Sequence, residues 1–358
     1  MWKRRAGDPR SFGIELSTPY VESLVMKLLV TGGLGFIGST FIKYMLSGND
    51  GIEVTNLDNL SIGSNPVNLK DLEVDERYKF LKGDIADYEL VARLVKESDA
   101  VINIAAETHV DRSISNPNAF LDSNTMGTFV LLEAVRKNNP EAIYAQVSTD
   151  EIYGDIINGS FKEDDGLRPS SPYAASKAAA DMFVLAYHRT YGLRTVITRC
   201  TNNFGPFQFP EKLIPKTIIR ASMNLKIPVY GSGRHIRDWI YVSDHCEALD
   251  LVLRKGEPGE VYNIAGGNEV ENIKLVQTIL DIMGKPHDLI EFVEDRPGHD
   301  IRYSLDCSKI KKELGWEPKH SLEEAIKETV NWYLKNEQWW RPLADKRVLH
   351  PTPWKLRW

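Results

Sequence analysis

A chain of 358 residues has enough sequence for a large core and for two closely joined lobes. A net charge of −6 with 26% charged residues excludes bulk affinity for nucleic acid, so any functional basic groups must be local. Cys200, Cys246 and Cys307 are odd in number and lack metal-ligand spacing, which argues against a disulfide framework and for a reducing cytoplasm; no metal is expected.

Residues 1–25 show no apolar region of a secretory signal, and no stretch of the chain is apolar enough to predict a membrane span. They read as a disordered leader or an upstream start ahead of the first strand. That strand, Lys27 to Thr31, runs into a glycine turn and then a helix-compatible stretch through Leu46, the context a dinucleotide fingerprint requires. Gly32 makes the tight turn, Gly35 lets backbone N–H groups approach a pyrophosphate, and Gly38 permits close packing of helix on strand. A second apolar run from Ile52 ends at Asp58 and Asn59, about where a ribose-binding acid is expected. An acid there favours NAD over NADP, whose extra phosphate it would repel.

Further strands are expected over Lys79–Gly83, Ala100–Ile104, Ala142–Ser148 and Arg194–Arg199, with helical stretches between most of them. This alternation predicts an α/β fold, a Rossmann-type doubly wound parallel sheet covered on both faces. Ligands in such sheets bind beyond the carboxyl ends of the strands. The unusual residues cluster there: Asp84 and Ile85, then Ala105, Ala106 and Thr108, then Ser148, Thr149, Asp150 and Glu151. From about Thr201 the pattern loosens into Pro- and Gly-rich segments, which predicts a smaller mixed α/β substrate-binding lobe rather than more sheet. The expected division is a leader over 1–25, a cofactor domain over 26–200, a mainly substrate lobe over 201–343 with 236–255 returning to the first domain, and an aromatic tail over 344–358.

The helix after Ser171 has that serine as N-cap, Pro172 in its first turn and Gly192 as its stop. Tyr173, Lys177, Ala180 and Val184 share one face; Ala175, Ala179, Met182, Phe183 and Ala186 share the other. If the first face meets a cofactor, Lys177 can hold the nicotinamide ribose and lower the pKa of Tyr173 by its charge. The second stripe is apolar and needs cover from the same chain or from a partner subunit. The acid pair Asp150 and Glu151 adds proton chemistry that oxidation alone would not need.

Gly32, Gly35 and Gly38 with Tyr173 and Lys177 resemble the extended short-chain dehydrogenase/reductase superfamily. Ser148, Thr149, Asp150 and Glu151, with Ile152, Tyr153 and Gly154, narrow the likeness to its dTDP-glucose 4,6-dehydratases. Further matches lie at Thr108–Ser113, Asn202–Pro215, Arg237–Trp239 and Asp295–Asp300. The resemblance implies bound NAD, a nucleotide-sugar substrate, deoxysugar (rhamnose-type) biosynthesis and a homodimer. It assigns catalysis to Thr149, Asp150, Glu151, Tyr173 and Lys177. Cofactor contacts would come from Gly32, Gly35, Phe36, Ile37, Gly38, Asp58, Asn59, Ser61, Asp84, Ile85, Ala105, Ala106, Thr108, Tyr173, Lys177 and Asn203. Substrate contacts would come from Thr108, Thr149, Asn202, Lys212, Leu213, Pro228, Tyr230, Arg237, Asn272, Arg296 and His299, with the two arginines as diphosphate clamps. Three alternatives stand beside this reading. A UDP-sugar 4-epimerase would have no use for Asp150 and Glu151, a UDP-glucose 4,6-dehydratase would differ only in base recognition, and an NAD-dependent binding protein would have no reason to keep the five reactive groups.

Overall fold

The computed structural model describes residues 25–48 and 51–358, so the expectation for the leader lies outside the described residues except at Val25. Strands β1 (Met26–Thr31), β2 (Ile52–Asp58), β3 (Tyr78–Lys82), β4 (Ala100–Asn103), β5 (Ile143–Thr149) and β6 (Thr195–Cys200) belong to one parallel sheet. Three short strands follow in the second lobe, β7 (Asn202–Phe204), β8 (Ile227–Tyr230) and β9 (Ile236–Tyr241). The chain then returns to the main sheet with β10 (Val261–Ile264), which pairs parallel to β6, before β11 (Glu269–Glu271) and β12 (Ile290–Val293).

The main sheet has the order β10-β6-β5-β4-β1-β2-β3. Its central strands are buried on both faces, as Val-, Ile- and Leu-rich parallel strands require, while the edge strand β3 is largely exposed. On one face lie α1 (Phe36–Ser47) and α8 (Val242–Lys255), with Phe41, Ile42, Leu249 and Val252 in the core; on the other lie α2 (Tyr88–Lys96), α5 (Gly127–Asn138) and α6 (Pro172–Tyr191), with Val91, Leu131 and Val184. Helices α3 (Val110–Ser115) and α4 (Pro117–Phe120) lie between β4 and α5, and α7 (Leu213–Ser222) between β7 and β8. The order reverses between β4 and β1, the topological switch at which such sheets open a crevice. Register places Thr31 level with both Leu57 and Asn103, so the glycine turn, Asp58 and the segment after β4 leave the sheet at one edge.

The expectation of no further sheet after Thr201 is corrected by β10. This run of only four residues, Val261 to Ile264, is wholly buried and carries no alternation to separate it from a core turn. The return to the first domain also extends beyond 236–255, because Ile310 on α10 (Ser308–Leu314) and Trp316 join the same core as α1 and α8. The second lobe holds β7, β9 and β11 in one small sheet and β8 with β12 in another. Against them pack α7, α9 (Asn272–Met283) and α11 (Leu322–Lys335), together with Trp339 and Trp340 on α12 (Glu337–Trp340).

Candidate active site

The turn after β1 is fixed by sterics. Gly32 has φ +71°, and a Cβ there would stand 2.6 Å from Ala105 Cα; one on Gly38 would stand 2.2 Å from the Gly32 carbonyl oxygen. Gly35 is different. A Cβ on it would come no closer than 3.3 Å to the Gly32 oxygen, so the space in front of it faces the crevice rather than protein. The first N–H groups of α1, which no helical carbonyl can accept, open onto that space. Asp58 is buried at the end of β2 and accepts from Leu34 N–H at 3.0 Å, Leu60 N–H at 2.8 Å and Ser64 Oγ at 2.8 Å. Its carboxylate therefore knits the glycine turn to the loop after β2.

All the residues assigned above to catalysis, cofactor or substrate line one cavity of about 370 Å³, with the exception of Asp84. Asp84 is exposed, and its carboxylate accepts from Asn59 Nδ2 at 3.0 Å and Ala86 N–H at 2.9 Å. It orients Asn59 from behind instead of facing the cavity. Asn202, Asn203 and Asn272 line that cavity, and each has a buried side-chain oxygen with no hydrogen-bond partner among the described residues. Buried polar atoms are normally paired, so this wall is built for a polar ligand.

At the centre, β5 delivers Thr149 and hands over to a single 3-10 turn, Asp150–Tyr153. Thr149 Oγ1 donates to Asp150 Oδ1 at 3.1 Å and accepts from Glu151 N–H at 3.3 Å, while Asp150 Oδ2 has no partner among the described residues. Burial, reinforced by the Glu151 charge, pushes the Asp150 carboxyl well above the ordinary range. Burial also raises Glu151, against the pull of Arg296, Arg237 and Lys212. Facing them is α6, whose N-cap Ser171 accepts from Ala174 N–H at 3.1 Å, with Pro172 in the first turn and Gly192 in the left-handed conformation at its end.

Tyr173 and Lys177 are both buried on this helix, and Lys177 Nζ donates to the Val147 carbonyl at 2.6 Å. The expected lowering of Tyr173 by Lys177 is not what the geometry gives. Burial, followed by the negative charge of Glu151, raises the phenol well above 10, with only a hydrogen bond to Thr149 among the leading influences acting downward. Lys177 itself is lowered by burial, although Asp181 one turn along opposes this. Sequence spacing supplied the pair; the degree of enclosure, which spacing does not encode, sets the balance.

The acid-bearing turn is held by a network absent from the sequence reading. Asp181 on α6 accepts from Arg199 Nε at 3.0 Å, Arg199 donates to Tyr153 Oη at 2.7 Å, and Tyr153 donates to Asn263 on β10 at 2.9 Å. The unexpected seventh strand thus anchors the turn that carries Asp150 and Glu151.

At the far end, Arg237 is buried and donates to the carbonyls of Ile236 at 2.7 Å and Asp300 at 2.8 Å, with its guanidinium 4.2 Å from the centre of the Tyr303 ring. Arg296 pairs with Asp111 at 3.1 Å, and the other oxygen of Asp111 accepts from Tyr230 Oη at 2.7 Å. Lys212 donates to the Thr108 carbonyl at 2.7 Å, which ties the two lobes together across the cavity. Pro228 and Leu213 add apolar surface to the same wall. Asp295 accepts from His299 Nδ1 at 2.6 Å and lies 3.2 Å from His235 Nε2, and the two imidazoles stack at 3.7 Å. These three residues bring ligand-type atoms within 4.8 Å of one another. The charges of Arg296 and Arg237, which push His299 below its ordinary pKa after burial has done so, favour an anion there over a cation.

Asp111, Glu211 and Lys216 also line the cavity and were not among the expected contacts. Lys216 is buried and lowered to about 8 by that burial. Asp111 and Glu211 lie inside the matching blocks, and a buried basic wall needs acids to balance it; that requirement is the signal that could have found them.

The pattern of the GDP-mannose 4,6 dehydratase family matches residues 29–329. A dTDP-glucose 4,6-dehydratase of Streptomyces niveus is 48% identical over 324 residues, which is 89% of this chain and 96% of that protein. The crystal structure of dTDP-glucose 4,6-dehydratase from Bacillus anthracis in complex with NAD is 47% identical with a TM-score of 0.84, covering 89% of this chain and 100% of that one. The structure of DesIV, a dTDP-glucose 4,6-dehydratase from Streptomyces venezuelae with NAD and TYD bound, is 46% identical with a TM-score of 0.88 over the same shares.

Proposed function

The chain belongs to the GDP-mannose 4,6 dehydratase family and, within it, to the dTDP-glucose 4,6-dehydratases of the extended short-chain dehydrogenase/reductase superfamily, and from that membership we infer how this site performs the reaction. It converts dTDP-glucose to dTDP-4-keto-6-deoxyglucose and water. Bound NAD supplies the acceptor for hydride from sugar carbon 4 and the donor of that hydride to carbon 6.

The residue roles are our proposal. Tyr173 removes the proton of the 4-hydroxyl, and Thr149 hydrogen-bonds the same oxygen. Burial raises the phenol with no leading contribution from Lys177, so the role we give Lys177 is to hold the nicotinamide ribose beside it. The 4-ketone acidifies the carbon 5 proton, which Glu151 accepts. Asp150, whose carboxyl is the more strongly enclosed and holds its proton, gives that proton to the departing 6-hydroxyl. Water leaves, and Glu151 returns its proton to carbon 5. Arg237 and Arg296, with Asn202, Lys212, Leu213, Asn272 and His299, hold the diphosphate and sugar, while Pro228 and Tyr230 border the base.

The observation that carries this reading is the juxtaposition of a buried and a partly buried carboxyl, both raised, with Tyr173 and Lys177 in one cavity. An epimerase needs only the latter two. Incubation with dTDP-glucose and, separately, UDP-glucose, followed by mass spectrometry, tests it. Loss of one water from dTDP-glucose is the expected result; equal turnover of UDP-glucose, or an unchanged mass, would count against it.

A homodimer is proposed through α6 and the helical turn Leu121–Met126 that precedes α5. Met182 and Phe183 are 46% and 38% exposed, and the nearby Leu121 and Met126 are 52% and 47% exposed, a concentration of apolar surface that suits a two-fold contact. Three unpaired cysteines fit the proposed reducing cytoplasm, and among the described residues no helix is long and apolar enough to cross a membrane.

A further inference from the structure

The aromatic tail after residue 343 is the one segment singled out by its composition that the reaction does not use. Its backbone is anchored on α7, where Arg220 donates to the Leu349 carbonyl at 2.7 Å and Lys216 to the His350 carbonyl at 3.3 Å. A salt bridge from Lys355 to Glu294 pins it farther on, beside the loop that carries Arg296 and His299. Between these anchors a short 3-10 turn, Pro353–Lys355, packs against α3. Trp358 folds back, donating from Nε1 to the Pro353 carbonyl at 3.0 Å, with the Arg347 guanidinium 4.7 Å from its ring.

Two tail aromatics reach the buried polar networks of the cavity wall. Trp354, itself buried, meets Tyr230 edge-on with ring centres 4.8 Å apart and planes at 80°. Tyr230 donates to Asp111, and Asp111 holds Arg296. Trp358 lies 5.8 Å from the Arg112 guanidinium, which is clamped between Glu107 at 2.6 Å and Glu211 at 3.2 Å. Tyr230 is held at its hydroxyl by Asp111 and on its ring by Trp354 at 4.8 Å and His299 at 6.2 Å, so removing the indole takes away the nearer of its two ring contacts and loosens its hold on Asp111.

We propose that residues 348–358 form a strap whose Trp354 is a positioning residue for nucleotide-sugar binding, acting through Tyr230 and Asp111 on Arg296. The proposal rests on the reading of Tyr230 and Arg296 as substrate contacts. Among the described residues no hydrogen bond, ion pair or ring contact joins the strap to the glycine turn or the acid-bearing turn, so its effect falls chiefly on substrate affinity rather than on cofactor retention.

The test is steady-state kinetics on Trp354→Ala and Trp354→Phe in the full chain, with copurified NAD and Tm recorded. Loss of an edge-to-face aromatic contact predicts that Trp354→Ala raises KM for dTDP-glucose about fivefold to tenfold. Its kcat and NAD content should stay within about twofold, and Trp354→Phe should recover most of the loss. A fall in kcat with KM unchanged, or no change in either, would overturn the proposal. If Trp354→Ala does not fold, Trp354→Leu fills most of the volume without a ring edge and carries the same test. A double-mutant cycle with Tyr230→Ala separates two failures. Tyr230→Ala without effect on KM removes the substrate reading itself. An effect of Tyr230→Ala that simply adds to that of Trp354→Ala removes the strap and leaves the site standing.

Discussion

Replacing Glu151 by glutamine should separate oxidation of the sugar from elimination of water. Glu151 is a partly buried carboxyl, raised by its enclosure and facing Arg296, Arg237 and Lys212, and glutamine matches its shape without its basicity. A positioned general base contributes about 100-fold to 10,000-fold, which corresponds to about 2.7 to 5.4 kcal/mol of barrier. The loss here should fall toward the larger figure, because the neighbouring carboxyl, Asp150, is pushed upward by burial and by the Glu151 charge and takes the role of acid rather than base. Tyr173→Phe removes the earlier proton transfer and serves as the comparator. In a stopped-flow experiment at the nicotinamide absorbance, Glu151→Gln should show a rise that persists after dTDP-glucose is added, and Tyr173→Phe should show none. Quenched samples analysed by mass spectrometry should contain dehydrated sugar only at the reduced rate. Dehydration by Glu151→Gln at the normal rate, or absence of the absorbance rise with substrate still bound, would refute the assignment.

The enclosed carboxyls also set a pH dependence of stability. Their folded-state pKa values lie above the unfolded ones, so the stability they contribute is complete below about pH 4 and is lost as pH rises through the raised folded values. Asp150→Asn should therefore match the parent in Tm near pH 4 and exceed it at neutral pH, in scanning calorimetry, while losing about 100-fold or more of kcat; a lower Tm at neutral pH would contradict this. Changing Met182 and Phe183 together to aspartate should yield monomer or aggregate in size-exclusion chromatography with light scattering, and an unaltered dimer would place the interface elsewhere. Arg199→Met strands the fully buried Asp181 and should cost about 3–5 kcal/mol in urea unfolding, with Asp181→Leu added back recovering most of it; a single variant as stable as the parent would show that the network does not hold the acid-bearing turn.

The sheet was legible wherever a strand carried its own boundary signal. Met26 to Thr31 ends in glycines, Ile52 to Asp58 ends in an acid, and Ile143 to Thr149 ends in the reactive run, so each announces both its length and its functional edge. Val261 to Ile264 announces neither. Its identity as the seventh strand depends on Cys200 and its neighbours in β6 offering a free edge, a property of the assembled sheet. The same division separates the readable from the unreadable parts of the site. Identity and spacing place Tyr173 and Lys177 on one face, but the protonation each favours follows from how completely the two lobes close over them. Asp111 shows the reason most plainly. It balances Arg296 and holds Tyr230 from a position 185 residues away from the arginine in the chain, and only the folded crevice makes that acid necessary. The charges that steer the chemistry are therefore local in space and distant in sequence: variants of Asp181 and Arg199 should reshape reactivity, and variants of Asp111 substrate affinity, without touching any residue that contacts the reacting sugar carbons.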